Sequence, residues 1–407
     1  MTQTLSLPDT RQSAWHLSAI QLTGISSLPV LATSTLLLET VQFKNAILTL
    51  ILGNILLWFI RFGILSMSHP GRKSTLDLSR DYIGHFGSYA IAFALLLSTL
   101  AWFTAQTTLA SHALTFLIPI NEGPNINLFI QMSVALGILS TLFCMEGIVV
   151  LRYLSVICLP LLILALIVVL WASPSVSIAP TTLPFTLIGL PLVLGTNLGV
   201  TADLPTFFRH SRSWKTSLYA LTIIQIMSLL LGISALYLSS IIKPWFGIDE
   251  HSTFLYAAMP LRLALIILIG ISAVCANVAN VYSASVGWEV IAPILAGRKE
   301  YLILGLGLTL IFILIGDLFP MELLLNITDA ALVNLCLVFI LGFLLRKFSH
   351  HIPSSKLQYM YFSSWALASF LNTFQLLGWM LPGILPVLLS VIIFIFTALM
   401  APIFSSH

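Results

Sequence analysis

Charge is what this sequence has least of. Of its 407 residues, 14 are Asp or Glu and 17 are Lys or Arg, 8% in all, against about 25% in an average soluble domain. Hydrophobic residues make up 58%, and no water-soluble fold covers that much apolar surface with so few charges. The shortage excludes a soluble enzyme, a disordered chain and a nucleic-acid partner. Cysteine is scarce as well. Cys144, Cys158, Cys275 and Cys336 stand singly in apolar stretches, which is neither a disulfide framework nor a metal motif. A phosphate-binding loop, a zinc-type His/Glu helix and a nucleophile elbow are all missing. An ATP-driven pump or a membrane protease therefore has no support, and no cofactor or bound metal is expected. Residues 1–14 are polar and the apolar run after them is too long for a signal-peptide core, so no cleavable signal is expected.

What the sequence does have is long apolar runs. The charged residues leave ten of them free of charge: 12–38, 45–60, 82–121, 123–145, 153–202, 216–242, 263–288, 301–316, 330–345 and 357–407. A helix needs about 20 mostly apolar residues to cross a bilayer. Two runs are long enough for two helices, dividing at Pro174–Pro184 and at Gly378–Pro382. The reading is an all-α polytopic membrane protein with 12 transmembrane helices and the lipid bilayer as its solvent. With the N-terminus inside, fourteen basic residues fall on the cytoplasmic side and three on the outer side. That bias places both termini in the cytoplasm of a bacterial inner, or plasma, membrane.

Two spans carry interruptions. The first contains Gly24-Ile-Ser-Ser-Leu-Pro29, and the sixth contains Gly195-Thr-Asn-Leu-Gly199 followed by Thr201-Ala-Asp203-Leu-Pro205. Gly and Pro release backbone groups from the helical ladder, and in a membrane those groups must face protein, ligand or a wet cavity. The interruptions lie five spans apart. A five-span repeat has an odd number of crossings, so its second copy enters inverted. Paired breaks at matching positions point to a transporter's central site.

At these residues the chain resembles the nucleobase:cation symporter family of cytosine, purine, hydantoin and hydroxymethylpyrimidine permeases. Ile51-Leu-Gly-Asn54 is similar to its apolar-Gly-Asn stretch in helix 2. Arg80, Gly84, Gly87 and Ser88 match its Arg…Gly…Gly-Ser spacing into helix 3, and Trp102-Phe103 its helix 3 Trp. Thr201-Ala-Asp203 matches its helix 6 signature, and Asn277…Tyr282 falls on its helix 8 pattern. The resemblance implies a LeuT-type core of 5+5 inverted repeats plus two C-terminal helices. Residues 1–14 would then form a cytoplasmic segment, 15–174 the first repeat, 183–347 the second, and 357–407 helices 11 and 12. It also implies cation-coupled import of a small-molecule substrate by alternating access, with helices 1, 2, 6 and 7 rocking against helices 3, 4, 8 and 9.

Three departures from the family bear on coupling and gating. The family's Arg three residues after Asp203 is displaced, and Arg209 comes six on. Where the family places two sodium-ligating hydroxyls in helix 8, this chain has Cys275-Ala276 before Asn277. A hard cation needs oxygen ligands, and these side chains supply none. Asp329 lies inside helix 10, where the family is usually uncharged. A carboxyl group held in a membrane is a functional hypothesis, and burial suits it to taking up and releasing a proton. Sodium and proton both stay open here as the coupling ion.

The candidate substrate residues are Trp102, Gln106, Asn197, Ser272, Asn277 and Asn280. Trp102 and Gln106 are four apart and share a helix face. One offers a ring for stacking, the other an amide edge, a pair that suits a planar heterocycle. Packing and interhelical hydrogen bonding would explain them equally well. Asn197 could reach substrate or cap a half-helix. Thr23, Gly24, Ser26, Ser27, Cys275 and Ala276 form the candidate helix-break and cation region. Asp329 is the candidate proton site. Asp203 with Arg209 or Arg212 is expected to form a cytoplasmic ion pair for structure or gating, and Glu146 with Arg152 a solvated pair. The expected function is import of a nucleobase-like heterocycle. An amino-acid permease on the same core and a transport-inactive signalling or structural protein are the alternatives. Oligomeric state is unassigned.

Overall fold

The computed structural model describes residues 11–25, 28–117, 126–172, 186–239, 259–295, 297–315, 321–348, 353–377 and 386–405. These form fourteen α-helices and one isolated β-bridge. In chain order they are α1 (Ala14–Ile25), α2 (Leu28–Val41), α3 (Phe43–Ser68), α4 (Thr75–Leu117), α5 (Ile126–Cys144), α6 (Ile148–Ala172), α7 (Leu190–Ala202), α8 (Leu204–Phe208), α9 (Trp214–Tyr237), α10 (Met259–Ile291), α11 (Arg298–Ile315), α12 (Met321–Phe348), α13 (Ser355–Leu376) and α14 (Pro386–Ser405).

Among the described residues, seven helices are long and apolar enough to cross a membrane: α3, α4, α5, α6, α9, α10 and α12. Their outward faces carry Phe59, Phe93, Ile157 and Trp171, all exposed. Such a surface is stable against lipid and not against water. The helix positions follow the charge-free runs, with one correction. The run 45–60 was closed by Arg61, but α3 continues to Ser68. Arg61 lies about 10 Å inside its end and is 2% exposed, so it does not belong to a cytoplasmic loop.

Local sequence sets the helix ends. Ser74 and Asp77 form a reciprocal cap on α4. The Asp77 amide donates to Ser74 Oγ (3.2 Å), and the Ser74 amide donates to Asp77 Oδ2 (3.0 Å). Ser213 and Ser354 cap α9 and α13 by accepting from Thr216 and Leu357. Within α4 the chain kinks at Gly84 (φ 76°, ψ 178°), a conformation essentially confined to glycine. The kink separates a charged approach segment from the apolar helix that carries Trp102. Gly53 serves a different need. A Cβ there would lie 2.6 Å from Val193 Cγ1, so its absence lets α3 and α7 pack closely.

The core brings distant segments together. Leu57, Ile64, Ile91, Leu198, Phe339 and Tyr361 join α3, α4, α7, α12 and α13 in one buried cluster. A second joins α1, α6, α9 and α10 through Leu17, Ile20, Leu159, Ile224 and Val281. The segment before α1 is tied to the α8–α9 turn: the Gln12 amide donates to His210 O (2.7 Å), and the Arg212 amide donates to Gln12 O (3.2 Å).

Candidate functional site

A cavity of about 150 Å³ lies where α1, α4, α7, α10 and α12 converge. Helix α4 contributes Trp102 and Gln106, one turn apart as their spacing requires. Helix α1 contributes Gln21 and Gly24, α7 contributes Asn197 and Gly199, and α10 contributes Ala276 and Asn280. Asp329 projects from α12, and Trp102 Nε1 donates to its Oδ1 at 2.9 Å. Gly199 lies beside this carboxylate, and a Cβ there would sit 3.5 Å from Asp329 Oδ1, an ordinary contact. Gln106 Oε1 and Asn280 Nδ2 are buried without a hydrogen-bond partner, which is uncommon for buried polar atoms.

Other sequence candidates lie elsewhere. Asn277 Nδ2 donates to Thr107 Oγ1 (3.0 Å) and Ser272 Oγ to Ile269 O (3.1 Å), both buried outside the cavity lining. Thr23 Oγ1 donates back to Ala19 O (2.9 Å) and also meets Ser155 Oγ (3.3 Å). The Cys275 thiol lies beside the thiol of Cys158 and beside Thr23. Two thiols, Cys158 and Cys275, thus share the α1–α6–α10 junction with the hydroxyl groups of Thr23 and Ser155. Ser26 and Ser27 lie outside the described residues.

Three expectations are corrected. Asn197 does not sit in a helix break, because α7 runs unbroken from Leu190 to Ala202. The break comes at Asp203, since Pro205 lacks an N–H and its ring clashes with the carbonyl four residues back, that of Thr201. The amide of Asn197 is also spent: Nδ2 donates to Val193 O (2.9 Å), and Oδ1 accepts from Arg61 Nη2 (3.2 Å). Second, Asp203 forms no ion pair with Arg209 or Arg212 among the described residues. Its carboxylate accepts from Thr206 Oγ1 (2.6 Å) and from Ser283 Oγ, while Arg209 is carried past the end of α8. There Arg209 donates to His210 Nε2 (3.2 Å) and Tyr282 Oη (3.3 Å). Third, Glu146 pairs with Arg298. Arg152 instead lies over the Tyr153 ring, 4.5 Å from its centroid.

Sequence reasoning missed Arg61. Its guanidinium donates to Thr201 Oγ1 (3.0 Å), Gln225 Oε1 (2.8 Å) and Asn197 Oδ1 (3.2 Å). Gln225 Nε2 in turn donates to Asn54 Oδ1 (2.7 Å). A buried cation with neutral acceptors thus ties α3, α7 and α9 together beside the cavity.

In the α8–α9 turn, burial and then the charges of Arg209 and Arg72 push the His210 imidazole down to about 4. The unfolded chain binds a proton there near pH 6.5, so between about pH 6.5 and 4 it holds more protons than the fold. Stability is therefore full above 6.5 and is lost as pH falls through that window. Thermal unfolding of the detergent-solubilised protein should lose on the order of 2 kcal/mol over this range relative to His210→Gln. Parallel pH profiles for the two proteins would exclude His210 as the source.

No family model matches the chain, and no curated sequence matches it. Solved structures do. Mhp1, a nucleobase-cation-symport-1 family transporter, in a closed conformation with bromovinylhydantoin bound, overlays with a TM-score of 0.66 at 15% identity, covering 99% of this chain and 96% of that one. A Na+-coupled sialic acid symporter in a substrate-bound outward-open state gives 0.68 at 14% identity over 97% and 90%. Mhp1 in its inward-facing conformation gives 0.52 at 16% identity over 98% and 90%. The chain is an all-helical integral membrane protein with the LeuT-type fold that these transporters, none of them an enzyme, share.

Proposed function

We propose that the protein is a secondary transporter that imports a small planar, nucleobase-like heterocycle by cation-coupled alternating access. The observation that carries the reading is the cavity itself. It joins an aromatic face (Trp102), unpartnered amides (Gln106 and Asn280) and a carboxyl group (Asp329). Small-molecule sites are mostly apolar clefts with a few convergent polar groups, and the fold belongs to symporters.

Twelve crossings follow if α1 with α2, and α7 with α8, each count as one interrupted span. The seven long helices, together with α11, α13 and α14, supply the rest. The moving bundle is then α1–α2, α3, α7–α8 and α9. The Arg61 network supports this division, because all its bonds run within that group. The coupling ion is a proton taken up at Asp329. The alternative sodium position has two thiols, Cys158 and Cys275, beside the hydroxyl oxygens of Thr23 and Ser155, fewer side-chain oxygens than a hard cation prefers.

Uptake assays in proteoliposomes with radiolabelled cytosine, uracil, adenine, hydantoin and hydroxymethylpyrimidine test the reading. At least one should accumulate, collapse with a protonophore and survive removal of sodium. Absence of uptake and binding across the panel overturns the substrate class. Uptake that needs sodium and ignores the protonophore overturns the coupling.

A further inference from the structure

Asp203 brings a second carboxyl group to the cavity. It stands at the break between α7 and α8 and lines the same space as Asp329. A chain of four hydrogen bonds passes through it. Ser283 Oγ on α10 meets Asp203 Oδ2. Asp203 Oδ1 meets Thr206 Oγ1 on α8 at 2.6 Å. Thr206 Oγ1 meets Thr75 Oγ1 on α4 at 3.0 Å. Thr75 Oγ1 donates to Ala202 O at 3.1 Å. Each hydroxyl group has one proton to give, so Ser283, Thr206 and Thr75 bring three protons to four bonds. The Ala202 carbonyl has none. If Asp203 is ionised, the Thr206 proton serves either the carboxylate or Thr75. One pair of oxygens then faces each other with no proton between them. All four side chains are buried, where water does not stand in for a missing partner.

We infer that Asp203 carries a proton in this conformation and, on the proton-coupled reading above, is a second proton-carrying residue of the transport cycle. A proton on Oδ1 completes the chain. Asp203 donates to Thr206, Thr206 to Thr75 and Thr75 to Ala202 O, while Oδ2 accepts from Ser283. No cation takes the place of that proton. The charge of Arg209 reaches Asp203, but its guanidinium is bonded to His210 and Tyr282 and is shared with Asp77 and Glu289. The Tyr282 hydroxyl is turned to Arg209 and His210. Arg61 on α3 is held by Thr201, Gln225 and Asn197, and Asp329 across the cavity is another acid. Two of the four bonds, those to Ser283 and from Thr206 to Thr75, join α7–α8 to α10 and α4, across the line along which the proposed bundle moves. When that line parts, Asp203 loses Ser283 and Thr206 loses Thr75. The carboxyl O–H bond then breaks toward entering water, which takes the proton and leaves a carboxylate. A proton that favours closure is, by reciprocity, released by opening.

Infrared spectra of the purified full-length protein at neutral pH, without substrate, test the protonation directly. The wild type should show the C=O stretch of a protonated carboxyl group that Asp203→Asn removes and Asp329→Asn does not. Asparagine offers an N–H to Thr206 and an oxygen to Ser283, so Asp203→Asn should melt close to the wild type. Thr206→Val removes the two bonds that compete for one proton, so the same band should be lost there and return in Thr206→Ser. Absence of the band from the wild type, or its survival in Asp203→Asn, overturns the assignment. A band unchanged by Thr206→Val overturns the hydroxyl chain as its cause. In proteoliposomes, Asp203→Asn should move one fewer proton per substrate than the wild type, and an unchanged ratio overturns its part in coupling. Substrate movement without protons in the wild type overturns the proton-coupled reading instead, while the spectrum still decides the protonation of Asp203.

Discussion

Detergent-solubilised Arg61→Ala is expected to unfold earlier than the wild type, by on the order of 3 kcal/mol, and to lose most of its transport. Arg61 is 2% exposed and donates to three neutral acceptors on two other helices. Removing it leaves Thr201, Gln225 and Asn197 with buried oxygens unmet. It also cuts the link from α3 to α7 and α9. Burying a guanidinium costs several kcal/mol in its own right, so loss of the charge offsets part of the damage. Two further variants separate these effects. Arg61→Lys keeps the charge but not the planar fork that reaches three partners, and should lie between wild type and Arg61→Ala. Arg61→Met removes both charge and fork while filling the volume. If Arg61→Met matches the wild type in melting and uptake, the network is a tolerated burden and does not stiffen a moving bundle.

Arg61 also shows what the sequence could and could not convey. Charge-free runs located the helices because lipid tolerates few charges. The same rule misplaces Arg61, since it ends a span at a charge. The signal that could have corrected it was present: residues 62–67 continue apolar for nearly two turns. Its partners were not legible, because Thr201 and Gln225 lie 140 and 164 positions away. Trp102 and Gln106 were legible as a shared face because helical periodicity is local. The meeting of Trp102 with Asp329 across 227 positions was not. Asp203 and Arg209 misled for the opposite reason. Their nearness in sequence suggested a pair, but α8 separates them and hydroxyl groups reach Asp203 first. The helix 6 interruption was placed in the right segment, yet glycines drew it toward Asn197. Glycine merely permits a break, whereas Pro205 enforces one. The Cys275-Ala276 pair reads as missing oxygen in the sequence, whereas the Cys158 thiol and the Thr23 and Ser155 hydroxyl groups that surround Cys275 come from other helices and were not legible there.

Trp102→Ala is expected to lower affinity for the transported heterocycle by about 100-fold, and Trp102→Phe by about tenfold. The two numbers come from two separable contributions. Stacking of a base on an aromatic ring is worth roughly 1–3 kcal/mol, and alanine forfeits it. A hydrogen bond to a charged group is worth roughly 1.5–3 kcal/mol, and both variants forfeit the one from Nε1 to Asp329 Oδ1. Phenylalanine keeps a ring in the cavity but leaves that oxygen short of a donor, so the ligand must approach a carboxyl group no longer held in place. Alanine in addition enlarges a cavity of about 150 Å³, which loosens every remaining contact. Measured by equilibrium binding beside thermal unfolding, the effect should fall on affinity, with melting temperatures lowered far less than by Arg61→Ala. Unchanged affinity in Trp102→Ala would remove the indole from the binding site. Equal losses in the two variants would mean that Trp102 acts only by positioning Asp329, and that the ring face contributes nothing.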